Sequence, residues 1–218
     1  MWQAAGGVFC AGASPHSSGS EAPQSLAGAA RLIFDYKVEG FVSLSTLLVP
    51  IACALQGAMV GGGVAMSMRA DVRFADQRAT FQHGNLSRGV CPVAGFSNTL
   101  PSAIGSPRAL KLYLTDQTIT ATTAQQLGLV QAVCASVRET KQRAVTVSTA
   151  LSHGASELGS LLVARRLPSG SHLLAHEVIS HTECLFINGG LRLARGDESR
   201  LRGDNITLTA WRSTPLCT

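Results

Sequence analysis

Three consecutive glycines, Gly61 to Gly63, interrupt an apolar stretch and constrain the local fold more than any other feature of the chain. The residues before them, 50–55, are typical of a strand buried on both faces, and Val64 to Ala70 predicts a helix. Glycine inside an element costs roughly 0.5–1 kcal/mol relative to alanine, so the triplet indicates a corner from which side chains are excluded. Such a corner directs backbone N–H groups at one point, as an oxyanion site requires. It also fits a tightly packed strand–helix junction, and spacing alone leaves both interpretations open.

The composition indicates a folded domain rather than a disordered chain. Of 218 residues, 45% are hydrophobic and 14% are charged, which suits one domain, or one domain and a tail, with a substantial core. The net charge is +5, but the lysines and arginines are scattered and are not interleaved with aromatic residues. This pattern does not favour a nucleic-acid partner and suits an anionic small molecule.

Two features bear on the cellular compartment. No charge lies between Glu39 and Arg69, a length that could span a bilayer, but Pro50 and several polar residues interrupt it, so we predict a buried core segment and no membrane span. Six cysteines are far apart, and the N-terminus does not have the pattern of a secretory signal. We therefore predict free, mostly buried thiols in a reducing, cytoplasmic setting. The cysteines are Cys10, Cys53, Cys91, Cys134, Cys184 and Cys217.

Strands alternate with helices along the chain, which predicts an α/β fold. Strands are expected at 6–14, 50–55, 72–75, 79–81 and 129–133, and helices at 24–48, 64–70, 106–114 and 120–128. Ser106 and Thr120 are expected to be N-caps, and Gly128 a C-cap. The intervening tract, 83–98, is rich in turn-forming residues and is expected to line a site.

Two phrases resemble those of a known family. VFCAGAS, from Val8, resembles the F-C-A-G-A-D turn of the crotonase superfamily, also called the enoyl-CoA hydratase/isomerase family. PIACALQGAMVGGGVAMSMRADVRFAD, from Pro50, resembles its G-G-G phrase, and the similarity continues to the A-x-x-x-G-L-V phrase at 124–130. The resemblance, over roughly 8–133, implies a crotonase-like ββα spiral core, missing its first strands, with C-terminal helices. The expected organisation is a thioester-binding core at 1–135, a helical region at 136–187 and a poorly defined tail at 188–218.

The resemblance also implies a function. Family members bind an acyl-CoA or acyl-carrier thioester and hold its carbonyl oxygen between two backbone N–H groups, here those of Ala13 and Gly62, which stabilises an enolate. Coenzyme A or phosphopantetheine arrives as part of the substrate, no metal is expected, and a homotrimer is the family's usual assembly. The expected substrate-binding residues are Ala11, Gly61, Gly63, Ala65, Pro92 and Val93.

The chain departs from the family at its acid/base positions. Family hydratases have two glutamates, for which Ala65 and Asn85 stand here, and Val93 occupies a third acidic position used in other branches. Hydration through paired carboxylates is therefore not expected, because neither alanine nor an amide transfers protons near neutrality. His83 and His16 are candidate proton carriers, although each also fits a solvated loop residue. Asn85 could donate a hydrogen bond to a substrate carboxylate or cap its turn.

Two other functions stay open at this stage. A decarboxylase or dehydratase acting on carrier-bound, polyketide-type thioesters would not need the glutamate pair, and a non-catalytic family member would bind or assemble only. A zinc-protease phrase is suggested by His176-Glu177 and His181, but histidines five apart do not share a helix face. For His172 and His176 we predict a polar helix face without metal.

Overall fold

The structure is a computed structural model that describes residues 1–12, 28, 40–152 and 171–187. Ala13 and His16, two of the predicted site residues, lie outside the described residues. The same holds for most of the predicted helix at 24–48 and for the tail at 188–218.

Seven strands and seven helices make up the described parts of the chain. The strands are β1 (Trp2–Gln3), β2 (Ala52–Leu55), β3 (Ala58–Val60), β4 (Val72–Asp76), β5 (Thr80–Gln82), β6 (Ile119–Thr120) and β7 (Ala132–Cys134). The helices are α1 (Gly40–Ser45), α2 (Gly62–Ser67), α3 (Phe96–Ile104), α4 (Ser106–Thr115), α5 (Ala121–Leu127), α6 (Val137–Ser152) and α7 (Ser171–Ile187). A 3₁₀ helix occupies Leu86–Arg88.

The strands form two sheets, and the four strands from β2 to β5 alternate between them. The four-stranded sheet has the order β1-β2-β4-β7 and is parallel throughout. The other sheet has the order β3-β5-β6, with β3 and β5 parallel and β5 and β6 antiparallel. Two strands and a helix thus form one unit at β2-β3-α2, and the next two strands repeat it. This confirms the α/β class and the crotonase-like ββα core.

The uncharged segment between Glu39 and Arg69 contributes many of its side chains to the hydrophobic core. All four residues of β2 are buried, and apolar side chains from β3, β5 and α3 form one cluster with it, including Leu55, Met59, Phe81 and Phe96. A second, smaller cluster joins β2 and β4 to α6 through Ala54, Phe74 and Ala144. Within the described residues, no helix has both the length and the apolar character needed to cross a membrane.

Several local predictions need correction. The predicted strand at 6–14 is wrong over its described part, 6–12, where the chain makes one isolated bridge, between Cys10 and Met59. Strand β3 was not predicted, and α2 begins within the glycine triplet at Gly62. The N-cap of α4 is Gly105 rather than Ser106.

The caps of α5 are confirmed. The Thr120 hydroxyl accepts a hydrogen bond from the Thr123 N–H at 3.2 Å, which satisfies one of the first N–H groups of the helix. Gly128 ends the helix with a φ of 85°, a left-handed conformation that glycine adopts without steric cost.

Candidate active site

The candidate site lies at the edge where β3 and β5 end. Because these strands are parallel neighbours, their carboxyl ends meet at the same edge, and the chain leaves them at Gly61 and His83. The Gly61 N–H donates to the Gln82 carbonyl at 3.1 Å, which joins the two exits. Gly61 has a φ of 52°, and a Cβ atom there would lie 3.6 Å from Oδ1 of Asn85. The glycine corner and the turn-rich tract therefore meet directly.

The three glycines of the triplet have different surroundings. A Cβ built on Gly63 would lie 1.9 Å from the Cys10 carbonyl oxygen, so the backbones of α2 and the N-terminal segment touch there. A Cβ built on Gly62 would meet no atom within 4 Å. As the first residue of α2, Gly62 also has an N–H without an acceptor inside the helix. Gly63 therefore fits the tightly packed junction, whereas Gly62 has open space beside it.

Gly12 belongs to the same corner. Its φ is 99°, and a Cβ there would lie 2.9 Å from the Val60 carbonyl oxygen. The backbone of the N-terminal turn thus lies close to the Val60 carbonyl group at the end of β3, because Gly12 has no side chain. Ala13, the predicted second donor, follows Gly12 in the sequence but is not described.

A cavity of about 250 Å³ opens at this corner. Its wall is mainly apolar, with side chains that include Phe41, Met66, Val90 and Phe96. The polar and ionisable side chains on the wall are Cys10, Asn85, Arg88 and His181. Among the described residues, no aspartate or glutamate lines the cavity. The predicted loss of the acidic pair is therefore not offset by another carboxylate in this part of the chain.

The predicted site residues divide into three groups. Those that line the cavity are Ala11, Gly61, Gly62, Ala65, Asn85 and Val93. Three described residues, Gly63, His83 and Pro92, are not part of its wall. Ala13 and His16 lie outside the described residues. The structure thus brings most of the predicted set to one cavity.

Asn85 is buried in the loop that follows β5. Its Nδ2 donates to the Cys91 carbonyl oxygen at 3.0 Å, while its Oδ1 is buried without a hydrogen-bond partner among the described residues. A carboxylate fixes the rest of the loop, because the Gly84 and Ser87 N–H groups donate to Asp116 at 2.5 and 2.9 Å. Burial opposes ionisation of Asp116, but these hydrogen bonds hold its pKa below the ordinary value. The ionised form therefore stabilises the loop that carries Asn85.

His83 is buried rather than solvated. Its ring stacks on Phe96 with centroids 4.7 Å apart and meets Tyr113 edge-on at 4.9 Å. Burial lowers the pKa of His83 to about 4, although the Asp116 charge acts in the opposite direction. The imidazole is therefore neutral at physiological pH and lies behind the cavity wall.

Helix α7 supplies two buried residues whose part in the site the sequence did not reveal. Glu177 accepts hydrogen bonds from the Gly95 N–H at 2.5 Å and the Ser97 N–H at 3.0 Å, at the start of α3, and from the Ser97 hydroxyl. One turn later, His181 lines the cavity and is 5% exposed. His176 is exposed, so the two histidines do lie on different faces, as their spacing predicts. Among the described residues, no cluster could hold a metal ion.

The cysteines of the described residues are free thiols, as predicted: Cys10, Cys53, Cys91, Cys134 and Cys184. Two of them meet beside the cavity, where the Sγ atoms of Cys91 and Cys184 are 3.5 Å apart. Burial raises the pKa of Cys91 to about 12, so this thiol stays protonated. The contact joins α7 to the loop before α3.

Comparisons with known proteins agree with this architecture. "Probable enoyl-CoA hydratase echA12" of Mycobacterium leprae is 34% identical over 134 residues, which are 58% of this chain and 44% of the relative. The chain therefore spans less than half the length of that relative. The structure of the enoyl-CoA hydratase from Bacillus anthracis is 28% identical, with a TM-score of 0.59 over 67% of this chain and 55% of that one.

A second solved structure supports the fold alone. The enoyl-CoA hydratase from Mycobacterium avium subsp. paratuberculosis is 22% identical, with a TM-score of 0.65 over 74% of this chain and 68% of that one. The family model described as enoyl-CoA hydratase/isomerase matches residues 3–163, which is more than half of the chain. The chain therefore belongs to the enoyl-CoA hydratase/isomerase family.

Proposed function

We propose that the cavity binds an acyl-CoA or acyl-carrier thioester and stabilises its enolate at the backbone N–H of Gly62, together with that of Ala13. The observation that carries this proposal is the position of Gly62 on the cavity wall. Its N–H has no acceptor within its helix, and no atom lies within 4 Å of where its Cβ would be, so a carbonyl oxygen can approach. A lost oxyanion donor typically costs about 10²–10³ in rate, which makes the placement of this group decisive.

The character of the wall supports a thioester substrate. An apolar cavity with few polar groups suits an acyl chain, because burying its methylene groups contributes about 0.8 kcal/mol each. Arg88 lines the cavity and is exposed to solvent, so its guanidinium can attract the phosphates of coenzyme A or phosphopantetheine. These groups belong to the substrate, and a homotrimer remains the expected assembly by family analogy.

Decarboxylation of a carboxylated thioester is the second candidate reaction. Loss of CO₂ needs enolate stabilisation more than it needs a carboxylate base, and the described part of the cavity wall carries no aspartate or glutamate. The specific observation in its favour is Arg88, a cation among described wall residues that include no aspartate or glutamate, which can pair with a substrate carboxylate.

A turnover assay separates the candidates. The purified chain is incubated with crotonyl-CoA and with malonyl-CoA, and 3-hydroxyacyl product and CO₂ are measured. CO₂ release without hydration supports the decarboxylase, and hydration supports the alternative that most relatives' names suggest. Binding of both thioesters with neither product would indicate a non-catalytic member of the family. A folded chain that binds no thioester would contradict the proposal as a whole.

A further inference from the structure

We infer that His181, on the C-terminal helix α7, is the proton-transferring residue of this cavity, replacing the missing carboxylates. The inference rests on the proposed function, because it needs a thioester in the cavity. It concerns a residue that stands at neither of the family's glutamate positions and lies far from them in the sequence.

Few side chains on the described part of the cavity wall can transfer a proton. The ionisable side chains that line the cavity in the described part of the chain are those of Cys10, Arg88 and His181. Arginine remains protonated at all physiological pH values and cannot accept a proton. Histidine titrates near neutrality, where a general base is most effective, and it is the commonest residue in that role. Asn85 and Ala65, at the family's acidic positions, cannot perform it.

A hydrogen bond to backbone determines which ring nitrogen of His181 can act. Nδ1 of His181 lies 2.5 Å from the Cys91 carbonyl oxygen, and because a carbonyl can only accept, Nδ1 carries the proton. In the neutral ring Nε2 is therefore the unprotonated, basic nitrogen. The same carbonyl oxygen accepts from Nδ2 of Asn85 at 3.0 Å, so one backbone atom orients two side chains of the cavity wall. Such a partner fixes the tautomer and the orientation of a functional histidine.

Three contacts along one face of α7 hold the ring in position. Glu177 binds the start of α3, His181 binds the Cys91 carbonyl one turn later, and Cys184 meets the Cys91 thiol in the following turn. These residues follow the i, i+4, i+7 spacing of a single helix face. A side chain held by its neighbours in this way is preorganised, as proton transfer requires.

The proposed step is proton abstraction from C2 of the bound acyl thioester. The lone pair on Nε2 of His181 takes the proton and the C–H bond breaks. Its electron pair forms a double bond between C1 and C2, and the π pair of the carbonyl group moves onto the oxygen to give an enolate. The Gly62 N–H donates to that oxygen. The protonated ring then returns a proton to C2, or a deuteron when the ring has exchanged with D₂O.

The test measures deuterium incorporation at C2 of butyryl-CoA in D₂O, by NMR, alongside calorimetric binding of butyryl-CoA. His181→Asn retains an N–H donor for the Cys91 carbonyl but has no basic nitrogen. It should bind butyryl-CoA within about twofold of wild type and exchange at least about 100-fold more slowly, since general bases contribute 10²–10⁴. His176→Asn, an exposed position on the same helix, should exchange at the wild-type rate.

The outcomes distinguish a failure of the role proposed for His181 from a failure of the proposed thioester site. Binding by wild type with exchange that His181→Asn leaves within about threefold would overturn the role of His181 and leave the thioester site standing. Binding by wild type without any exchange would also overturn that role. Absence of binding by a folded wild type would contradict the proposed function itself. If circular dichroism shows that His181→Asn is unfolded, His181→Gln, which also has no basic nitrogen, is measured in its place.

Discussion

Gly63 and Cys10 touch through their backbones, since a Cβ atom on Gly63 would lie 1.9 Å from the Cys10 carbonyl oxygen. Real Cβ atoms do not approach a carbonyl oxygen so closely, and neither backbone can yield without moving α2 or the N-terminal turn. The contact holds the first turn of α2, and with it the Gly62 N–H, against the segment that precedes Ala13. Gly63 is therefore a packing position, and its neighbour Gly62 is the residue for which we propose contact with the ligand.

This contact predicts that two neighbouring substitutions change the free energy of unfolding by different amounts. Gly63→Ala should lower the free energy of unfolding by about 3 kcal/mol, because overpacked methyl groups force the backbone to shift. Gly62→Ala should leave it within about 1 kcal/mol of wild type, since its Cβ meets nothing within 4 Å and α2 accepts alanine. Urea denaturation of both variants checks this. Equal stability of the two variants would contradict the structure of the corner.

Glu177 should contribute to stability through the start of α3. Its carboxylate accepts from the Gly95 and Ser97 N–H groups, and Glu177→Gln removes the charge and turns an amide group toward one of those donors. We expect a loss of about 2 kcal/mol in the free energy of unfolding. Glu183→Gln is the matched control on the exposed face of the same helix and should change it by less than about 0.5 kcal/mol. Equal losses of stability at both positions would show that the Glu177 hydrogen bonds to the start of α3 do not stabilise the chain.

His83 should make the chain less stable in mild acid. Its folded pKa, about 4, lies below the unfolded value near 6.5, so the unfolded state binds a proton that the folded state does not. The free energy of unfolding should therefore fall as the pH drops from 6.5 to 4, by on the order of 3 kcal/mol from this group.

His83→Phe isolates that effect, because the ring contacts with Phe96 and Tyr113 can remain while the titration is lost. Thermal denaturation between pH 4 and 7 should show a shallower pH dependence in this variant than in wild type. His176→Gln, at an exposed histidine, should retain the wild-type slope. A slope that His83→Phe leaves unchanged would mean that the buried imidazole does not titrate as described.

The amino-acid pattern predicts the part of the site formed by the glycine triplet, α2 and the loop after β5, but not the part formed by α7. The glycine triplet, Ala65 and Asn85 are identifiable because each lies at a strand exit or within a phrase with fixed spacing. His181 was considered only as part of a zinc-protease phrase, because a buried polar residue and an exposed one look alike in the sequence of a single helix. The useful signal was the spacing of Glu177, His181 and Cys184, which places all three on one face.

Strand boundaries were missed for a different reason. Residues 6–12 have the composition of a strand, yet they pair with β3 only at Cys10, because Gly12 and Gly57 let the backbones cross closely instead of forming a ladder. Strand β3 lies between two glycine-containing turns and is three residues long, too short for an alternating pattern to appear. The structure of both segments depends on pairing with residues far away in the sequence, and local propensity carries no information about that pairing.

Restoring carboxylates should test the family positions. Ala65 and Asn85 both line the cavity, so Ala65→Glu with Asn85→Glu would place two acids against one substrate. We expect hydration of crotonyl-CoA by the double variant at least about 100-fold above the matched Ala65→Gln, Asn85→Gln variant, since acid/base groups contribute 10²–10⁴. Chromatographic detection of 3-hydroxybutyryl-CoA gives the rates. A folded double variant that binds crotonyl-CoA without hydrating it would show that the two positions do not act together.

The central claim is that an acyl thioester occupies the cavity against Gly62, and calorimetric titration with acetyl-CoA and octanoyl-CoA tests it most directly. Wild type should bind saturably, and Gly62→Val should raise the Kd at least about tenfold because its side chain would fill the space of the carbonyl group. Gly6→Val is the control, since Gly6 also has no atom within 4 Å of its Cβ position and does not line the cavity. Binding that Gly62→Val leaves unchanged, or no binding by the folded wild type, would contradict the account.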